Sequence, residues 1–299
     1  MTTSQRHRIA DLQIARHQIG GSVRAVTSAS QTPLSLQALG QTVQHNRWRT
    51  EAMRSHATPR LIAFVRGQGR ITVSGLTSGY GPNNLIFVPA GTMYGFELGP
   101  TVFGQMLALP AAMAAEWPDT PVHLRLRDVA AQKELQSLLE GLERELTSTR
   151  PHHLRAAHYH AGLLSVFVAR QIAAQPVDAV RDRADTSAAR LVAAFTGLVA
   201  QGFRTDPGVA DYAAALGVTP THLTRCCRQT CGRSALALLT DRRHYEACVM
   251  LRDTAIPVQQ IAADTGFHSA AYFSRAFQAR AGTSPSAFRR TGTGVPVRR

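Results

Sequence analysis

Thr221, Thr224, Arg225 and Arg228 are spaced so that one helix face would carry all four. Short hydroxyls beside guanidinium groups suit one kind of chemistry well. Arginine can make paired hydrogen bonds to a guanine edge in a DNA major groove, and threonine fits most base edges. About fifty residues later Ala270, Ala271, Ser274 and Arg275 fall at the matching spacing. There a serine and an arginine remain, and an alanine could meet a thymine methyl. The bland reading of either set alone is a solvated helix surface. Two copies in one chain weigh against it.

The segments that must position these residues are themselves repeated. Residues 209–232 read VADYAAALGVTPTHLTRCCRQTCG, and residues 258–282 read VQQIAADTGFHSAAYFSRAFQARAG. Val209 answers Val258, Ala213 answers Ala262 and Gly217 answers Gly266. After one extra residue Leu223 answers Phe273, Arg225 answers Arg275, Cys227 answers Phe277 and Gly232 answers Gly282. Each copy reads as a short helix, a glycine turn and a second helix, with alanine where the two helices cross. Asp206-Pro207, Thr219-Pro220 and Ser284-Pro285 are capping residues followed by a proline at the first helical position, and Ser269 is a cap without one. The pattern predicts helices over 188–201, 207–215, 220–230, 234–252, 257–264, 270–280 and 285–289. Nineteen residues at 234–252 would span about 28 Å, enough to hold two reading helices roughly one DNA turn apart.

Charge agrees with a polyanionic partner. The net charge is +14 over 299 residues. Residues 186–299 hold fourteen Arg against six acids, so +8, and the longer remainder holds only +6. Lys133 is the sole lysine, so an arginine-rich genome would give some of the same bias. The N-terminus lacks a continuous apolar core, and no apolar run is long enough to span a bilayer, so the expected location is the cytoplasm, with no membrane partner. Cys226, Cys227, Cys231 and Cys248 do not have paired zinc-site spacing. His222 and Cys226 could share a helix face, but small core hydrophobes are the better reading of the cysteines.

Residues 34–126 read as short strands: LSLQALG, LIAFV, RITVSG, NLIFVP, YGFEL and VFGQMLAL, broken by turns at Gly67-Gln68-Gly69, Gly79–Asn84 and Pro89-Ala90-Gly91. This spacing argues for an antiparallel sandwich or small barrel. After 128 the period becomes helical. Leu135, Leu138, Leu142 and Leu146 form one stripe; Leu154, Ala157, Ala161, Leu164, Val168 and Ile172 form another. This helix pair either caps the sheet or presents a surface to a second copy, and a homodimer is expected. Residues 175–188 read as a linker.

From about Ala189 to Arg290 the chain resembles the AraC/XylS family of bacterial transcription regulators. The resemblance rests on DYAAALGVTPTHLTR, Gly232-x-Ser234, RRHYEACVMLRDT, IAADTGF and AYFSRAFQARAGTSPSAFR. It implies a seven-helix domain with two helix-turn-helix subdomains, at 207–230 and 257–280, binding tandem sites in double-stranded promoter DNA. Carried over, Thr221, Thr224 and Arg225 match base-contacting positions of the first reading helix, and Ala270, Ala271, Ser274 and Arg275 match the second. Many members have longer polar side chains at 270 and 271, which suggests phosphate contacts more than base discrimination there. Cys226 and His244 replace larger apolar residues on the packing side.

The N-terminal half looks like the cupin-type sensor this family often carries, on His56 with FVRGQGRITVSG and on NLIFVPAGTMYGFEL. Metal-binding cupins need two close histidines, a Glu and a further His. Here His56 stands alone and Tyr94 follows the Pro-Ala-Gly turn, so no metal, cofactor or catalytic residue is assigned. The barrel mouth remains as a pocket, with Arg47, Trp48, Arg49, His56, Arg66, Met93, Tyr94 and Phe96 as candidate lining residues. An arginine with aromatic walls would suit an organic acid as effector.

The expected fold is α+β: a cupin-like antiparallel β-barrel (1–128), a helical pair (129–174), the linker (175–188), an all-α DNA-binding domain (189–290) and a disordered tail (291–299). The expected function is a ligand-responsive activator that contacts RNA polymerase. The alternatives are a regulator without an effector, or one switched by oxidation of Cys226 and Cys227, and a cupin enzyme with an appended helical domain.

Overall fold

The computed structural model describes residues 32–40, 48–99, 101–174, 186–205 and 207–292. Arg47, Asp206, most of the expected linker and residues 293–299 of the expected tail lie outside the described residues. An N-terminal strand-rich domain precedes a helical C-terminal domain.

Eight strands form two antiparallel sheets. They are β1 (Ser35–Leu39), β2 (Arg60–Arg66), β3 (Gly69–Val73), β4 (Leu76–Tyr80), β5 (Asn84–Val88), β6 (Tyr94–Glu97), β7 (Phe103–Ala108) and β8 (Val122–Arg125). The larger sheet has the order β1-β7-β2-β5-β8, and the smaller β4-β3-β6. A four-residue helix, α1 (Trp48–Glu51), sits between β1 and β2.

Alternation across the strands explains two sequence runs that do not alternate. On β2 and β5, Ile62, Phe64, Ile86 and Val88 meet Ile71, Tyr80, Tyr94 and Phe96 of the small sheet, with Phe64 stacked on Tyr80 at 3.7 Å. Their neighbours Leu61, Ala63, Leu85 and Phe87 face the other way, into a core shared with two helices. Both faces are buried, so LIAFV and NLIFV read as continuous apolar runs.

The expected closed barrel is not found among the described residues. The chain passes back and forth between sheets at Gly67 (φ 82°) and Asn83 (φ 59°). β2 and β3, and likewise β4 and β5, therefore belong to different sheets, and no ladder closes among the described residues. Two strands lie outside the predicted runs. Ser74 and Gly75 both have positive φ (50° and 73°), the geometry of a tight two-residue hairpin, so the expected strand RITVSG ends in a turn and β4 begins at Leu76. β8 closes the far edge of the large sheet on β5.

The helical pair is α2 (Val129–Leu146) and α3 (His153–Ala174). Asp128 caps α2 by accepting from the N–H groups of Ala130 and Ala131. Leu135, Leu142, Ala157, Ala161, Leu164 and Val168 are buried, as their periodicity predicts. Leu154 is instead exposed, in the first turn of α3, although it shares the face of Ala157 and Ala161.

The C-terminal domain holds α4 (Ser187–Gly202), α5 (Val209–Ala215), α6 (Pro220–Cys231), α7 (Ala235–Asp253), α8 (Val258–Asp264), α9 (Ala270–Ala281) and α10 (Pro285–Gly292). Each predicted helix is present within two or three residues. The linker expectation is two residues too long, since Ser187 already begins α4 behind a Thr186 cap. The start of α5 also differs from the proline-led cap expected there. Gly208 is the capping residue and its N–H donates to the Asp211 carboxylate at 2.7 Å, leaving Pro207 outside the helix. At the other end α10 continues through Thr291 and Gly292, where a tail was expected; the Thr291 hydroxyl donates to the Phe288 carbonyl. No helix among the described residues is long and apolar enough to cross a membrane.

Candidate DNA interface and the joint behind it

The two repeats fold alike. Gly217 and Gly266 adopt left-handed conformations, φ 70° and 76°, where a side chain would be strained. At each turn the chain folds back identically: Val218 N–H reaches the Ala213 carbonyl at 3.0 Å, and Phe267 N–H reaches that of Ala262 at 2.9 Å. Both alanines are fully buried at the helix crossing. Thr219 caps α6 and Ser269 caps α9 through their hydroxyls, and both helices end at left-handed glycines, Gly232 and Gly282. Leu223 and Cys227 turn inward in the first copy, Phe273 and Phe277 in the second.

The predicted reading residues lie on the opposite faces. Thr221, Arg225 and Arg228 on α6 are exposed and Thr224 half-buried; on α9, Ala271 and Arg275 are exposed while Ala270 and Ser274 are half-buried. Two neighbours were missed. His222 Nδ1 lies 3.0 Å from Arg225 Nη2, so it helps to set the direction of that guanidinium. Tyr272, 59% exposed on α9, adds a large side chain to a face whose neighbours are alanines. Exposure of an aromatic among reading residues was a usable signal, while the His222 contact depends on rotamers that sequence does not show.

Behind these faces the two domains are joined tightly. Met53 and Met93 enter the core of Val192, Phe195, Val199, Leu223 and Cys227. A Cβ on Gly75 would stand 2.3 Å from Val192, so the β3–β4 hairpin presses directly on α4. On the other side Trp48 packs on Tyr245 of α7 (5.7 Å) and Phe288 of α10 (6.0 Å). Between these contacts sits Asp241, 1% exposed. Its carboxylate accepts from Met53 N–H (2.9 Å), from Arg233 (2.8 Å) just past α6, and from Arg280 near the end of α9.

This arrangement redistributes the expected pocket. His56, Tyr94 and Phe96 do come together, with His56 5.8 Å from the Tyr94 ring. Met93 and Trp48 instead belong to the two interdomain cores, Arg49 lies over Trp48 at 4.7 Å, and Arg66 is exposed at the end of β2. Arg54, Asp241 and Tyr245 went unpredicted. Nothing in MRSHATPR marks its first arginine as buried, and no periodic pattern pairs Asp241 with residues 188 positions away. A cleft of about 1440 Å³ also opens at the joint, lined by Arg70, Glu97, Arg233, Arg252 and Arg280 among others.

All four cysteines are free and buried. Burial pushes the Cys227 thiol up to about 12, far from the thiolate that oxidation requires. Cys226 lies 3.6 Å from His222 Nε2, the shared face expected from their spacing. Among the described residues no three His, Cys, Asp or Glu side chains converge as metal ligands would. His244, its ring tilted against Phe277 at 5.0 Å, is lowered to about 4 by burial.

A helical domain behind an attached strand-rich domain is the arrangement of a class of DNA-binding regulator, and comparison with known proteins agrees. A model described as an AraC-like ligand binding domain matches residues 37–163, and one described as a helix-turn-helix domain matches 212–291. The two models cover 127 and 80 of the 299 residues, so the chain resembles AraC-family transcription regulators in both parts. Two curated relatives are arabinose operon regulatory proteins, from Escherichia coli and Salmonella typhimurium. Each is 35% identical over 81 residues, 27% of this chain. The match spans only 28% and 29% of those relatives' lengths. The C-terminal domain of AraT, a response regulator from Geobacillus stearothermophilus, is 32% identical, with 36% of this chain and 88% of that chain covered and a TM-score of 0.34. Unsaturated fatty acid bound ToxT from Vibrio cholerae is 14% identical, with 89% and 97% covered and a TM-score of 0.45.

Two outcomes are expected. Asp241→Ala strips two arginines and a backbone N–H of their acceptor and should cost about 3 kcal/mol in urea unfolding, the lower end for a broken buried pair because both arginines reach solvent. For His244, the unfolded chain takes up a proton near 6.5 and the folded chain only near 4, so its contribution is complete above 6.5 and is lost as pH falls toward 4. Thermal unfolding of His244→Phe should therefore lose less stability than wild type between those pH values.

Proposed function

We propose that the chain is a ligand-responsive activator that reads two adjacent major-groove sites with α6 and α9, one helix-turn-helix unit for each. The observation that carries the reading is the repeated unit itself. Both copies have the same capped, glycine-turned geometry, and both set a polar, arginine-bearing face outward. The nineteen residues of α7 span about 28 Å between them, close to the roughly 34 Å of one DNA turn. We divide the chain into a sensor to about residue 128, a helical pair to 174, and a DNA-binding domain from about 187. The smaller reading face on α9 favours affinity over base discrimination there.

The α2–α3 pair is assigned as the dimer surface. The pair already packs on itself and on the large sheet, yet α3 leaves Tyr159, Leu163 and Val166 exposed at helical spacing (68, 54 and 45%). A second copy would cover that stripe. The effector is assigned to the sensor, as an organic acid, and RNA polymerase is the partner of the activated form. The buried cysteines speak against thiol control as the alternative.

Selection of genomic fragments on purified protein, followed by footprinting at fixed salt, should give two protected boxes about one helical turn apart. A single box would contradict the tandem reading. Arg225→Ala should cost about 1–3 kcal/mol of specific binding and relax preference at one base. Leu163→Arg should shift the sedimentation coefficient from dimer to monomer without loss of helix content; an unmoved coefficient removes α3 from the interface.

A further inference from the structure

One carboxylate joins the ends of α6 and α9. Oδ2 of Asp241 accepts from Arg233 Nη2 at 2.8 Å and from Met53 N–H at 2.9 Å, and Oδ1 accepts from Arg280 Nη2. Arg233 directly follows Gly232, the left-handed glycine that ends α6. Arg280 is the last residue but one of α9, ahead of its own left-handed glycine, Gly282. The carboxylate is 1% exposed, while the two arginine side chains are 29 and 35% exposed along the cleft that they help to line.

Two guanidiniums on one carboxylate bring more positive charge than it neutralises. Burial first, and then the charge of Arg233, lower Arg280, so the two cations lie near enough to repel. Each cation is closer to the shared anion than to the other cation, and at short range attraction therefore wins. Without the charge on Asp241 the same two side chains would push the ends of α6 and α9 apart. The strand-rich domain completes the shell. Met53 contributes a backbone N–H, and Glu97 of β6 lines the same cleft and partly offsets the lowering of Arg233 by burial.

The residues that face outward lie at the opposite ends of these helices. Thr221, Thr224 and Arg225 occupy the first half of α6, and Ala270, Ala271, Ser274 and Arg275 the first half of α9. Each helix has 12 residues, so about 18 Å of length separates the anchored end from the outer one. A tilt of about 10° at the anchored end moves the other by roughly 3 Å, close to the rise of one base pair. The length of α7 sets how far apart the two units sit. Their angle is left to whatever holds the inner ends of α6 and α9.

We propose that Asp241 is a positioning residue that sets the half-site spacing this chain accepts. By tying the inner ends of α6 and α9 to one point, it allows both outer ends to enter DNA only at one separation of their boxes. This deepens the tandem reading above and rests on it. Because Met53 N–H shares the same carboxylate, the accepted spacing also depends on how the strand-rich domain is seated.

The test uses the full chain and duplexes carrying the two footprinted boxes, with the distance between them changed one base pair at a time. A duplex with one box serves as the reference. Wild type should bind best at one spacing and about tenfold more weakly two base pairs to either side, since two linked contacts lose their mutual gain when geometry forbids both. Asp241→Asn keeps the size of the side chain and an acceptor for Met53 N–H but removes the charge. It should match wild type on the one-box duplex and vary by no more than about threefold across the same spacings. If circular dichroism shows that Asp241→Asn does not fold, Arg280→Gln, which removes one arm of the pair, is read in the same way. A variant profile as sharp as that of wild type overturns the assignment. So does an equal loss on every duplex, the one-box reference included, which is the mark of a general structural role. A sharp wild-type profile with an unmoved variant sinks this inference alone, whereas a wild type indifferent to spacing sinks the tandem reading and this inference together.

Discussion

A buried carboxylate with no route to water has to be matched by donors on every side, and Asp241 is matched by groups from three parts of the chain. Met53 N–H arrives from the strand-rich domain, Arg233 from just past α6 and Arg280 from the end of α9. Moving any one of them leaves a charge in the interior short of a partner. The position of the strand-rich domain and the spacing of α6 and α9 are thereby tied to a single residue of α7. A domain joint held only by apolar contact could slide. One held by directional bonds to a buried anion has a preferred register, and leaving that register carries a defined cost.

The two helix–turn–helix units are alike in backbone but unlike in what fills them. The second has its own aromatic core, with Phe267, Phe273, Phe277 and Phe288 in edge and tilted contacts of 5.2–5.7 Å. The first places small thiols, Cys226, Cys227 and Cys231, on its inner face, and its core takes in Met53 and Met93 from the sensor. Methionine suits such a gap because its unbranched side chain adapts to irregular space. The unit nearer the sensor is thus completed by it, while the farther unit is nearly self-sufficient. Any message from the sensor would reach α6 through shared core packing and α9 through Asp241 and Trp48.

Much of the helical domain was legible because its signals are local. A cap, a proline at the first helical position or a glycine at a left-handed turn acts within four residues, so Thr219-Pro220, Ser269, Gly217 and Gly266 could be placed from sequence alone. Signals broke down where a turn residue does not announce itself. Ser74 adopts positive φ, for which serine has no special aptitude, so β4 was hidden behind it. Likewise Pro207 looked like the first residue of a helix, whereas Asp211 turns back to cap Gly208 and starts the helix later.

What the sequence determined by itself was the repeated unit, the exposed and buried faces of its second helices and the order of strand-rich and helical parts, since each follows from periodicity and capping within short windows. Tertiary structure alone decided that the strands form two sheets rather than one barrel, that Met93 and Trp48 leave the supposed pocket for two interdomain cores, and that Arg54 and Asp241 are buried. Those outcomes depend on contacts between residues far apart in the chain. The burial of a charge is set by what surrounds it in space, and no local pattern of residue types encodes that.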